Sequence, residues 1–278
     1  MNRSAENQPL KRLLAMDTST SSMTVALLDG ERLIAESGSI AVRNHSMYLV
    51  PSMLDMLESV QISLQDIDGI GVGRGPGSYT GVRIGASVAK TLAWTLGVPL
   101  IGVSSLEAMA LGGVRSLAAQ DPSPDPVLAV PIIDARRGRV YTGLYRISKG
   151  ISTCLLPDGV RPLDTWLKQI AAYIPESADG GEPGTVAGIL FVGETSPFRG
   201  RLPASESWQG CTVRTADTRI RAYDVGLLAA RRWSRGEQDD VHTFVPNYTQ
   251  LADAEAKYLA RQKQAGGLEG SAGRGRLS

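Results

Sequence analysis

Two stretches far apart in the chain carry the same order of short elements, and that repetition constrains the fold more than any other feature. Residues 13–18 and 23–28 are apolar runs joined by a polar turn at 19–22, and after Asp29-Gly30 the run 31–38 continues the series. Apolar runs of this length, separated by small polar residues and glycine, form antiparallel strands, and three in succession form a meander. Residues 127–133, 140–145 and 150–155 repeat the order in the second half. After each set the apolar spacing lengthens to a helical period: 46–60 and 80–96 in the first half, with strands at 70–73 and 98–103, then 163–173 and 221–235 in the second.

A meander continued by helices, twice over, predicts an α/β chain with the duplicated ribonuclease-H-like fold of actin, sugar kinases and the chaperone ATPase. Each of its two subdomains would be a mixed sheet flanked by helices. The length of 278 residues and a hydrophobic share of 42% supply enough core for both. The first subdomain is expected over 1–110, and a linker over 111–126, rich in Ala, Gly, Ser and Pro and closing with Asp121-Pro122-Ser123-Pro124-Asp125-Pro126. The second is expected over 127–250, with its late helix free to pack back on the first. A tail over 251–278 follows, whose stretch 266–278 has no periodic signal and is expected to be disordered.

Charge and cysteine content narrow the function classes. Lys plus Arg number 29 against 28 for Asp plus Glu, a net charge of +1, so the strong basic footprint of a chain that holds nucleic acid alone is missing. Cys154 and Cys211 form no CxxC pair and have no nearby histidine, which fits a reducing cytoplasm and suggests neither a disulfide framework nor zinc. Residues 1–10 are polar, with no apolar leader, and no stretch reaches the ~18 apolar residues that span a bilayer. The expectation is a cytoplasmic protein without membrane contact.

Two motifs are candidates for chemistry. Asp17-Thr18-Ser19-Thr20 lies where the first strand turns into the second, the place at which actin-like kinases set an aspartate and hydroxyls against nucleotide phosphates; four small polar residues are equally good turn formers. Gly73-Arg74-Gly75-Pro76-Gly77-Ser78-Tyr79-Thr80-Gly81-Val82-Arg83-Ile84-Gly85 joins a strand to a helix through glycines that allow positive φ and expose backbone N–H groups at the helix start. Asp17, Thr18, Gly75, Gly77 and Ser78 are therefore the candidate anion or nucleotide contacts. The competing reading is a tight turn packed on a neighbouring helix, since both the Gly-Lys-Ser/Thr ending of a P-loop and the dinucleotide spacing are missing.

Together with His45-Ser46 and Asp134-Ala135-Arg136-Arg137-Gly138-Arg139-Val140-Tyr141, these motifs resemble the TsaB family in order and spacing. The match is dense over 13–106, thinner over 127–145 and weak afterwards, where Pro246-Asn247-Tyr248 and Ala254-Glu255 resemble the family's C-terminal pattern. The resemblance implies a non-catalytic subunit required for threonylcarbamoylation of the adenosine next to the anticodon in tRNAs reading codons that begin with adenine. TsaD is the implied direct partner and TsaE a further one, with tRNA reached only through the complex and a homodimer as the alternative state of the free chain.

The residues agree with a chain that needs no cofactor or metal. TsaD-like enzymes hold a metal with histidines four apart on a helix, but His45 is followed at that spacing by Leu49, and His242 lies in a polar stretch beside Asp239 and Asp240. The nearest candidate for the adenosine loop of an actin-like ATPase, residues 187–194, has bulky side chains between its glycines. Asp134 is followed by Arg136, Arg137 and Arg139, which suit an ion-paired turn. No serine or cysteine has a histidine base in a recognisable motif. An actin-like small-molecule kinase or ATPase is the alternative reading, and a metallopeptidase a third.

What remains is surface. On the helix 46–60, Met47, Val50, Leu54 and Leu57 form one apolar row, while Leu49, Met53, Met56 and Val60 form a second. One row suffices to bury a surface helix, so the expectation is that the first faces the core and the second a partner; a helix between two layers could bury both. Gly85 and Ala89 on the following helix are small enough to admit a partner helix, and the resemblance points to the same two helices.

Overall fold

The computed structural model describes residues 11–40, 45–119, 125–174, 188–203, 208 and 211–249. Residues Met1–Asn247 form one compact unit, and Tyr248–Ser278 a second of which only 248 and 249 are described. The sequence expectation for 251–278 therefore lies outside the described residues.

The first half builds β1 (Leu13–Asp17), β2 (Ser22–Asp29), β3 (Arg32–Ile40), α1 (His45–Ser59), β4 (Gly69–Gly73), α2 (Tyr79–Leu96), β5 (Leu100–Val103) and α3 (Ser105–Ala118). The second builds β6 (Val127–Asp134), β7 (Arg139–Ser148), β8 (Ile151–Pro162), α4 (Leu163–Ala171), β9 (Gly188–Gly193), β10 (Thr212–Asp217) and α5 (Ala222–Ser234). The sheets are ordered β3-β2-β1-β4-β5 and β8-β7-β6-β9-β10. In both, the first three strands pair antiparallel and the last two join in parallel. One topology occurs twice, which is the duplicated ribonuclease-H-like fold.

Side-chain alternation then sets the layers, because successive residues of a strand face opposite sides of the sheet. In β1, Leu14 and Met16 face α1 and α2, whereas Leu13 and Ala15 face a middle layer made of α3 and α5. In β6, Leu128, Val130 and Ile132 face α4, and Val127, Ala129 and Ile133 face the middle. Both faces of both sheets are covered, so β1, β4 and most of β6 are buried along their length, as central strands between helices must be.

The boundary between the halves is not where composition places it. Leu111–Ala118, expected as the start of a linker, is the second half of α3. This helix of the first half packs on β6, β7 and β9 of the second sheet, while α5 of the second half packs on β1, β2, β4 and β5 of the first. The small residues that resembled a linker are there for contact: a Cβ on Gly113 would enter the Val192 side chain, and one on Gly112 would enter the Asp224 carboxylate.

Where α3 meets α5, Asp224 is fully buried and Arg115 reaches it at 2.8 Å, with the Arg115 guanidinium 4.3 Å from the centre of the Tyr223 ring. Burial pushes the Asp224 carboxyl up to about 6, against the pull of Arg115. A carboxyl whose pKa is raised on folding favours the folded state most when protonated, and that contribution is lost as pH rises from about 4 to about 6. The difference in unfolding free energy between the wild type and Asp224→Asn should therefore fall by about 2 kcal/mol across that window. Denaturant titrations of both proteins at pH 4, 5, 6 and 7 measure it; a constant difference contradicts the assignment.

Candidate functional site

The polar turn after β1 and the glycine run after β4 meet, as the sequence suggested, but the joint they form is closed. Strand parity sends Asp17 to the middle layer and Thr18 toward α2. The Asp17 carboxylate accepts from the Ser19 backbone N–H and hydroxyl at 2.7 Å each and from the Ser105 hydroxyl at 2.5 Å. The Thr18 hydroxyl donates to the Gly81 carbonyl at 2.7 Å and accepts from the Gly85 N–H at 3.1 Å, so one side chain ties the turn to two successive turns of α2.

Such proximity leaves no room for a side chain on the facing residues. A Cβ on Gly73 would collide with the Asp17 carboxylate, one on Gly77 with the Ser19 carbonyl and one on Gly81 with the Thr18 carbonyl. The loop's donors are also directed inward: Gly75 N–H to the Ser105 hydroxyl, Ser78 N–H to the Ser19 carbonyl, and Gly81 N–H to the Ser78 hydroxyl, which caps α2. Of the expected anion contacts, the Asp17 carboxylate, the Thr18 hydroxyl and the N–H groups of Gly75 and Ser78 are engaged within this joint. Asp17, Thr18, Gly75 and Gly77 are buried, whereas Ser78 at the start of α2 is exposed.

The helix rows are inverted as well. Leu49, Met53 and Met56 are buried, with Val60 half-buried beside them, and all pack on the face of the first sheet turned away from the middle layer. Gly85 and Ala89 are likewise buried against that sheet, Gly85 over Thr18. None of these offers a surface. The row expected in the core is the one that faces out: Met47 is 63% exposed, Val50 38% and Leu54 46%, with only Leu57 of that row buried. Tyr48 on the same helix, and Tyr79 and Trp94 on α2, are exposed too.

A cleft of about 620 Å³ opens between the β1–β2 turn and the ends of β6, β9 and β10, lined among others by Thr20, Ser22, Asp134, Glu194, Asp217 and Arg219. Sequence reasoning singled out Asp134 but missed Glu194, Asp217 and Arg219, which only the parallel register of β6, β9 and β10 brings together. Asp217 holds the turn at Thr195 and Ser196, accepting from both backbone N–H groups at 2.9 and 2.8 Å and from both hydroxyls. The Ser196 hydroxyl above all holds its carboxyl below the usual range. Glu194 accepts from the Asp134 N–H at 2.8 Å, and Asp134 from the Arg136 N–H at 2.8 Å, so the expected role of Asp134 in a structural turn is fulfilled by its backbone partner rather than by an ion pair. Three carboxylates, one of them paired with Arg199 at 3.2 Å, and one guanidinium give this lining an acidic balance.

Residues 188–193, part of the stretch compared with an adenosine loop, are not a loop: they are β9, paired in parallel on both sides and buried throughout. Among the described residues no group of three or more His, Cys, Asp and Glu is arranged to hold a metal ion, and no helix is long and apolar enough to cross a membrane.

Residues 37–258 match the profile of the family described as TsaD: tRNA N6-adenosine threonylcarbamoyltransferase. The tRNA threonylcarbamoyladenosine biosynthesis protein TsaB of Bacillus subtilis is 36% identical over 252 residues, which cover 90% of this chain and 99% of that protein. The protein of the same name from Escherichia coli is 42% identical over 135 residues, 49% of this chain and 55% of its own length. Among solved structures, YeaZ from Pseudomonas aeruginosa superposes with a TM-score of 0.66 at 30% identity, covering 86% of this chain and 99% of that one.

Two substitutions separate the rows of α1. Met53→Arg places an unpaired cation in the core and should cost several kcal/mol, whereas Leu54→Arg leaves its charge in water and should shift the melting temperature little. Thermal unfolding of both reads the difference; equal melts would reverse the orientation of α1. Gly81→Ala, which drives a methyl into a carbonyl oxygen, should lower stability by about 1–3 kcal/mol with no change in surface chemistry. A wild-type denaturation midpoint would refute the closed joint.

Proposed function

Because the chain belongs to the TsaB family, we propose that it is a non-catalytic subunit in the formation of threonylcarbamoyladenosine on tRNA, a scaffold or activator for the TsaD transferase acting with TsaE. The observation that carries this reading is the outer row of α1. Met47, Val50 and Leu54, with Tyr48 beside them, lie on one helix and are open to water, in a protein whose sheets are otherwise covered on both faces. An apolar surface of this kind is used for association. The partner it suits is TsaD, whose family profile matches this chain itself and whose fold therefore offers equivalent helices to pack against.

The interior supports the non-catalytic half of the proposal. The motif that could have approached a phosphate is turned inward, the adenosine-loop candidate is a central strand, and the cleft between the sheets carries an excess of carboxylates. The cleft itself is the one feature that favours the alternative of an actin-like kinase or ATPase, since its volume suits a small ligand. Turnover measurements decide between the two readings.

The isolated chain should neither hydrolyse ATP nor modify tRNA, and adding it to TsaD, TsaE and a source of threonylcarbamoyl-adenylate should raise tRNA modification well above the level without it. ATP turnover that follows the chain through purification would overturn the reading. Leu54→Arg should retain the wild-type fold and lose both TsaD capture and stimulation. Undiminished capture would move the interface elsewhere.

A further inference from the structure

The connection between β6 and β7 carries a conformational cost that its fold does not require. Arg136 and Arg137 both have positive φ, 66° and 55°, followed by Gly138 at 70°. The path is pinned by Ala135 N–H to the Arg139 carbonyl at 3.0 Å, Arg139 N–H to the Arg136 carbonyl at 3.1 Å and Leu163 N–H to the Gly138 carbonyl at 3.3 Å. The left-handed region is open to glycine and tolerated by asparagine, but costs other residues roughly 1–2 kcal/mol each. Two arginines in succession there give no packing in return: both side chains are exposed, and among the described residues neither is held in an ion pair.

The two cations are not isolated. Arg139 follows in the same turn, and the Arg201 guanidinium, paired with Asp164 at 2.9 Å, lies 3.8 Å from where a Gly138 side chain would begin. Strand register sets this corner beside Asp134, so a cationic edge adjoins the acid-lined cleft. A tight turn that exposes two consecutive arginines to water suits the phosphates of a nucleic acid backbone, and guanidinium pairs with phosphate in bidentate geometry.

We propose that the Arg136-Arg137 turn is an RNA-backbone contact, through which this subunit helps to position tRNA on the assembled complex. The proposal rests on the function argued above and deepens it. A net charge of +1 makes the contact too weak to hold tRNA alone, so it acts as an auxiliary grip beside the partner's.

The test compares the wild type with two full-length double variants, each assembled with TsaD and TsaE. Arg136→Asn with Arg137→Asn removes both charges while keeping a residue that accepts positive φ; Arg136→Lys with Arg137→Lys keeps the charges. Binding of unmodified tRNA is measured across a salt series. Loss of two phosphate contacts should lower the slope of log K against log salt by about 1.5. The asparagine pair should also raise KM for tRNA roughly tenfold with kcat nearly unchanged, and the lysine pair should retain most of the wild-type slope. An unchanged slope and KM for the asparagine pair would overturn the proposal. Loss of TsaD capture by the asparagine pair, measured without tRNA, would overturn it too, by assigning the turn to an acidic protein surface. If wild-type chain fails to stimulate modification, the function argued above falls, and the salt series still reports on the RNA contact separately.

Discussion

The approach of the α2 backbone to the turn after β1 is the constraint on which the rest of the molecule depends. It requires glycine at 73, 77 and 81, because a Cβ at any of them would enter Asp17, Ser19 or Thr18. Once α2 lies that close, the Thr18 hydroxyl bridges two of its turns, the Ser78 hydroxyl caps it, and the carboxylate of Asp17 is taken by Ser19 and Ser105. The same contact turns the small residues Gly85, Ala89 and Ala93 toward the first sheet. A buried polar network of this kind is stabilising only when all its members are satisfied, which leaves little capacity for a ligand.

The second constraint is the exchange of helices between the halves. With α3 on the second sheet and α5 on the first, neither half has a complete core of its own, and the middle layer is a single cluster containing residues from both sheets. Its polar fastenings follow from that. Arg115 and Asp224 join α3 to α5; Arg221 pairs with Glu36 of β3; the Thr24 hydroxyl of β2 accepts from the Ala222 N–H at 3.1 Å. At the start of α3, the Ser104 hydroxyl donates to Asp158 of β8 at 2.6 Å, beside the hydrogen bond from Tyr145. Burial raises the Asp158 carboxyl, so this fastening sits in surroundings that disfavour charge.

Strand order and the duplication were legible because period-two alternation and turn residues are local signals. The exchange was not, since a helix rich in alanine and glycine has the composition of a linker until its contacts are known. Leu111, Gly112 and Gly113 are small or apolar because Val192 and Asp224 press on that face. The inversion of α1 has a different cause. Two apolar rows on one helix have the same period, and periodicity says nothing about which faces the sheet. Charge did carry the answer: the row through Val50 and Leu54 continues at the next turn to Glu58, which is exposed, whereas the row through Leu49 and Met53 continues to Met56 and Val60 without a charge. Extending each row to its end, rather than substituting Leu57 for Glu58, orients the helix correctly.

The cleft shows why site residues are harder to read than strands. Asp134, Glu194 and Asp217 are far apart in sequence and become neighbours only because β6, β9 and β10 run parallel and end at the same level. In a fold of this kind the ends of the central strands are where a ligand would be met. Here those ends carry carboxylates whose donors are mostly the chain's own backbone and hydroxyls, and β9 fills the place compared with an adenosine loop. The carboxylates at the strand ends are thus tied into the chain's own turns, while α1 presents Met47, Val50 and Leu54 to solvent. The exposed apolar row lies outside the cleft, so the surface suited to association and the polar lining at the strand ends are separate features of the molecule.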